Sequence, residues 1–116
     1  MTGDLVVQAN TNDNPFIYLD MYSDSLQRYG RLYFQKSHND TVGTMTTTLD
    51  GDWIGNIKYM GTNNVGVFTG GAYMSVQQTG AAGAYVPTEM EWVTYTNAAP
   101  NLRQFVLNSD GSTTVT

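Results

Sequence analysis

Apolar and polar positions alternate along this chain in short runs, and each run stops at Gly, Asn, Asp or Pro. No stretch longer than ten residues repeats at the 3.6-residue period of an amphipathic helix. The period-2 runs with turn residues between them predict an all-β protein of short antiparallel strands. Residues 5–9 are the first candidate strand, followed by an Asn/Asp-rich loop over 10–15. Residues 16–22 read as a strand with Ile17, Leu19 and Met21 on one face and Phe16, Tyr18 and Tyr22 on the other; both faces are apolar and are expected to be covered. Residues 31–36 and the Thr-rich 44–49 are further strands, the second closing at the turn Asp50-Gly51.

The pattern strengthens after that turn. Residues 53–60 form a strand whose alternation breaks at Gly55, where a β-bulge is expected. Turns are predicted at 61–64 and at Gly70-Gly71, then a strand over 72–78 with Ala72, Met74 and Val76 inward. Residues 80–84 are a small-residue loop. Residues 88–96 place Met90 and Trp92 on one face and Glu89, Glu91, Val93 and Tyr95 on the other. A strand over 102–107, the turn Asp110-Gly111 and a last strand over 112–116 complete the chain. Trp53, Tyr59 and Trp92 read as core.

Composition changes this picture in one respect. Leu, Ile, Val and Phe number 24 of 116 residues, close to the roughly 20% at which a chain struggles to bury a core. Thr, Gly, Asn and Ser supply 44, and fourteen aromatics, eight of them Tyr, partly offset the aliphatic shortage. A single copy is therefore short of core, and help from a partner is expected.

Charge and motif content exclude several classes. The net charge of −5 with only five scattered basic residues is expected to repel nucleic acid. No apolar run approaches the ~20 residues of a membrane helix, so no membrane insertion is expected. The N-terminal residues lack the charged-then-apolar plan of a signal peptide. There is no cysteine, hence no disulfide, thiolate zinc site or cysteine nucleophile.

Candidate chemistry is sparse. The carboxylate pairs Asp50/Asp52, Glu89/Glu91 and Asp20/Asp24 invite comparison with the two carboxyls of glycoside hydrolysis, but a solvated strand face is the expected reading. His38 lies in an expected turn without a nucleophile elbow. The Asp/Asn turns at 10–14 and 50–52 lack the EF-hand pattern of a calcium loop. No catalytic residue, metal ligand or cofactor is assigned. Tyr and Trp stack on the apolar faces of sugars and hydrogen-bond through their polar tips. On that ground Tyr22, Tyr29, Tyr73 and Tyr85, at strand ends or outward positions, are the candidate receptor-binding residues.

The order of motifs from Gly51 onward carries a resemblance. Gly55-Asn-Ile-Lys-Tyr-Met-Gly61 is followed by Ala72-Tyr-Met-Ser-Val76 and Pro87-Thr-Glu-Met-Glu-Trp-Val-Thr94. Arg103-Gln-Phe-Val-Leu107 and Asp110-Gly111 come last. This ordered set, over about 60 residues, resembles a module of bacteriophage tail-fibre and tailspike proteins; similar modules occur in bacterial trimeric adhesins. The resemblance implies a compact sandwich-like domain assembled as an intertwined homotrimer around a fibre axis. It also implies attachment to a host cell-surface glycan or protein receptor by multivalent binding, without enzymatic activity, in a virion tail fibre or at a cell surface.

On this reading residues 1–116 are one trimeric fibre domain. Residues 1–9 and 111–116, which share a Gly-polar-x-x-Val form, are connecting strands to neighbouring modules. The alternatives are a monomeric β-sandwich carbohydrate-binding module and a polysaccharide-cleaving tailspike fragment.

Overall fold

A computed structural model describes residues 3, 5–8, 15, 17–100 and 103–116. The chain divides into two units, residues 1–33 and 34–116. The described part of the first contains no strand. The strand expected over 16–22 is therefore absent from 17–22, and that over 5–9 from 5–8; Ala9, Phe16 and the loop residues 10–14 lie outside the described set. The physical reason is visible in the side chains. Ile17, Tyr18, Leu19 and Met21 are each more than half exposed, so neither face of that segment has the cover a two-sided apolar strand requires. Within this unit Gly30 passes so close to the Leu19 carbonyl that a Cβ there would collide with it.

The second unit carries a five-stranded antiparallel meander: β1 (Trp53–Thr62), β2 (Phe68–Gln78), β3 (Thr88–Thr94), β4 (Phe105–Leu107) and β5 (Thr113–Val115), in that spatial order. No helix occurs among the described residues, so none is long and apolar enough to cross a membrane. The fold is all-β, as the alternation predicts.

The register explains how sequence breaks become geometry. Trp53 pairs with Gln77 and Gly55 with Val76, which leaves Ile54 as the extra residue of a bulge where the alternation faltered. A Cβ on Gly55 would stand 2.8 Å from the Cβ of Phe34, so the glycine also lets the preceding segment cross the strand. Tyr59 pairs with Ala72 and Met60 with Gly70, which makes Gly71 the extra residue of a second bulge. The expected turn at Gly70-Gly71 is thus a bulge inside β2, and the true hairpin turn lies at 63–66, closed by Gly66 with φ 79°. Asp50-Gly51 and Asp110-Gly111 turn as expected, with both glycines in the left-handed region.

Residues 34–52 contain no strand, contrary to expectation for 31–36 and 44–49. Side chains and turns organise this segment instead. The Ser37 hydroxyl accepts the Thr46 N–H at 2.8 Å and donates to the Thr44 carbonyl at 2.9 Å. Gln78, fully buried, donates through Nε2 to the carbonyls of Thr48 and Gly80 and so ties the segment to the end of β2.

Candidate functional site

Alternation along the paired strands sorts the sheet into two chemically distinct faces. Ile57 pairs with Met74, Met74 with Trp92, and Trp92 with Phe105, which in turn pairs with Val115. With Tyr59, Val76, Met90 and Leu107 they form one continuous apolar face. The Trp92 and Phe105 rings meet edge to face at 4.9 Å. None of these side chains is buried; Tyr59 is 66% exposed and Val115 74%, while Ile57, Met74, Val76, Met90 and Trp92 are half-buried.

This corrects the expected core. Ala72, Met74 and Val76 lie inward only in part, Trp53 and Tyr59 are half or more exposed, and Trp92 is half-buried. The two buried hydrophobic residues among those described, Val93 and Val106, belong to the opposite face. The apolar face is covered only in part: Phe34 lies over Gly55 in β1, while Tyr59 and Val115 are mostly exposed.

On the opposite face Val93 and Val106 neighbour a charged cluster. Glu91, only 4% exposed, accepts a hydrogen bond from the Ser75 hydroxyl at 3.0 Å on its cross-strand partner. Its other oxygen lies 2.5 Å from Nε of Arg103, whose terminal nitrogen also engages Glu89. A buried charge is tolerable only when paired and hydrogen-bonded, and this one is both. The expected solvated face for Glu89 and Glu91 is therefore incorrect. Both carboxylates are drawn onto one guanidinium, which links β3 to the residues leading into β4. Sequence reasoning missed Arg103 as their partner. The available signal was that Glu91 shares its face with Val93, and that Arg103 lies two residues before the strand pairing with β3.

The four candidate tyrosines are distributed over both units. Tyr22 (91% exposed) and Tyr29, over which the Arg31 guanidinium stacks at 4.3 Å, belong to the first unit. Tyr85, 89% exposed, sits in the loop between β2 and β3. Tyr73 is half-buried in β2 and meets Tyr95 edge to face at 6.3 Å. Burial first, and then the adjacent Glu91 carboxylate, hold the Tyr73 hydroxyl above its ordinary pKa of 10.0. Within the second unit, then, Tyr73 pairs with a tyrosine that was not singled out, and Tyr85 stands apart from secondary structure.

His38 does not form a triad. Its Nδ1 lies 2.9 Å from Asp52 Oδ2, while Ser37 is occupied by backbone groups. Asp52 also accepts the Leu49 N–H at 2.9 Å and faces Lys36 at 3.5 Å. The Leu49 N–H foremost, then His38 and Lys36, hold its carboxyl below the usual value against an opposing desolvation effect. Asp50 spends Oδ1 on the Gly80 N–H. Among the described residues no group of three His, Cys, Asp or Glu is placed to hold a metal ion, and residues 10–14 lie outside that set. Compared with protein-family models and with curated proteins, the chain matches none.

Proposed function

We propose that this chain is a structural and receptor-binding module of a trimeric tail fibre or surface adhesin, working by multivalent attachment to a host cell surface. The observation that carries the reading is the open apolar face. Fully burying a Val, Leu, Phe or Met side chain stabilises by roughly 1.5–3 kcal/mol. Across the nine side chains of this face, of which Tyr59 and Val115 are more than half exposed and the other seven partly covered, on the order of 5–10 kcal/mol stays unrealised in one copy. That is comparable with the whole net stability of a small domain, about 5–15 kcal/mol.

A second and third copy of the same face supply the missing cover. The apolar residues of β1, β2, β3 and β4 lie in register across the strands, so identical faces present matching stripes to a common axis. The thin aliphatic content and the absence of disulfides leave association as the remaining stabilising device. Three rigidly held sites then gain avidity without any strong single contact.

Sedimentation equilibrium at micromolar concentration tests this directly, with a trimer expected. Met74→Lys, which places a charge at the centre of the face, should dissociate the assembly and lower its melting temperature. A wild-type protein that is folded and monomeric at that concentration overturns the proposal.

A further inference from the structure

Beyond the apolar face, the far end of the β1–β2 hairpin and the loop after β3 enclose a groove of about 630 Å³. That volume falls within the range of small-molecule sites, roughly 300–1,000 Å³. Its floor is the Gly70-Gly71 backbone and its aromatic element is Tyr95. The absence of side chains on the floor is what admits the ring. A Cβ on Gly70 would stand 2.5 Å from Tyr95 Cζ and 2.8 Å from Cε1, so the tyrosine lies directly over the glycine. The Gly71 bulge offsets the strand here, and the Tyr73 ring braces Tyr95 from the side.

Both walls are built before any ligand arrives. In the hairpin turn, Asn63 Oδ1 accepts the N–H groups of Val65 and Val67 at 3.1 and 3.0 Å. In the other wall the Thr96 hydroxyl accepts the N–H groups of Ala98 and Ala99, and the Thr96 N–H donates to the Ala99 carbonyl. These turns spend their own polar groups internally. Asn64 and Asn97, which also line the groove, are exposed and their side-chain amides have no hydrogen-bond partner among the described residues. Among the described residues no Asp, Glu, Lys or Arg lines it.

The geometry points to a saccharide subsite for an uncharged hexose unit, with Tyr95 beneath the C–H face of the ring and the Asn64 and Asn97 amides holding its hydroxyls. An aromatic ring set among free amides and small residues matches an amphipathic polyhydroxylated ring. The lack of charge selects against ions and acidic sugars, which need a countercharge. Tyr95 projects from the sheet face opposite the apolar one, so copies packed on the apolar face leave it accessible. The assignment rests on the host-recognition half of the function proposed above.

The test is a titration of the isotope-labelled protein with methyl glycosides of glucose, galactose, mannose and N-acetylglucosamine, followed by amide shifts, with N-acetylneuraminic acid as the acidic comparison. At least one neutral glycoside should shift the amides of Gly70, Gly71 and Asn97. Tyr95→Ala and Asn97→Ala should each weaken that binding about tenfold, equivalent to roughly 1.4 kcal/mol. Tyr95→Phe, which keeps the ring, should bind as the wild type does. Asn97→Ala removes no internal bond, so it decides the matter even if Tyr95→Ala fails to fold.

Silence of these amides toward all four glycosides overturns the subsite. So does tighter binding of N-acetylneuraminic acid, or unchanged affinity in Asn97→Ala. Sedimentation of the same samples separates the two readings. A monomer that binds at these amides defeats the trimer and keeps the subsite, whereas a trimer with silent amides does the reverse.

Discussion

Replacing Arg103 by Ala leaves the Glu91 carboxyl group, 4% exposed, without its cation and with only the Ser75 and Tyr73 hydroxyls beside it. Breaking a buried ion pair from one side costs about 3–5 kcal/mol, mostly because the remaining charge is stranded. Here the Arg103 side chain is itself 48% exposed, so water already screens part of the interaction. Discounted for that screening, the expected loss is about 2–3 kcal/mol. For a unit of 60–100 residues each kcal/mol moves the melting temperature by about 4–8 °C, so a fall of roughly 10–20 °C is expected. Calorimetric or circular-dichroism melts at fixed protomer concentration would measure it, since association makes the midpoint concentration-dependent. The control is Glu91→Gln, which removes the stranded charge and leaves an arginine that can turn to water. It should cost about half as much or less, and combining it with Arg103→Met should recover most of the loss. Arg103→Ala within 0.5 kcal/mol of wild type, the scatter typical of neutral surface changes, would refute the reasoning. So would a Glu91→Gln loss as large as that of Arg103→Ala.

Other expectations follow from the same geometry. Gly70→Ala drives a methyl into the Tyr95 ring and should cost about 1–3 kcal/mol by overpacking, read as a lower melting temperature; an unchanged melt would mean the ring is not seated there. Asp52 and Asp110 are both held below the ordinary carboxylate value of 3.8, Asp110 by the hydroxyl and N–H of Ser112. Their contribution is therefore present above that value and lost as pH falls through and beneath it, so melting temperature should drop on acidification below about pH 4, less steeply in an Asp52→Asn, Asp110→Asn variant. An equal slope in wild type and variant would remove these two groups from the account.

How much of this was legible beforehand depends on where along the chain one looks. The strands after Gly51 were readable because Met90/Trp92 and Ala72/Met74/Val76 alternate cleanly and the turns carry Asp-Gly or a glycine-rich loop. Even the Gly55 bulge announced itself as a break in alternation. Gly70-Gly71 misled because two adjacent glycines signal a turn and a bulge equally well; only the pairing of Tyr59 with Ala72 decides between them. The segments at 16–22 and 44–49 have strand-like composition, yet a strand needs a neighbour and a cover, and composition reports neither. The inversion of the core has the same origin. Alternation identifies two faces but not which one a single copy buries, and here the face holding Glu91 is the buried one because Arg103 and Ser75 satisfy its charge. The groove at Tyr95 depends on two glycines and a bulge, features that carry no local sign of concavity.

The meander has a kinetic consequence. Each of the five described strands pairs with its immediate neighbour in the chain, so the sheet can zip up from successive hairpins without waiting for distant segments to meet. Closure of each hairpin is intramolecular and indifferent to dilution. If the apolar face is completed by other copies, that second stage is an encounter between molecules, and its rate scales with their concentration. Assembly would then separate in time into a fast event that each chain performs alone and a slower one that a crowded synthesis site accelerates, with the partly exposed Trp92–Phe105 pair marking the interval during which the half-finished sheet is most exposed to mispairing.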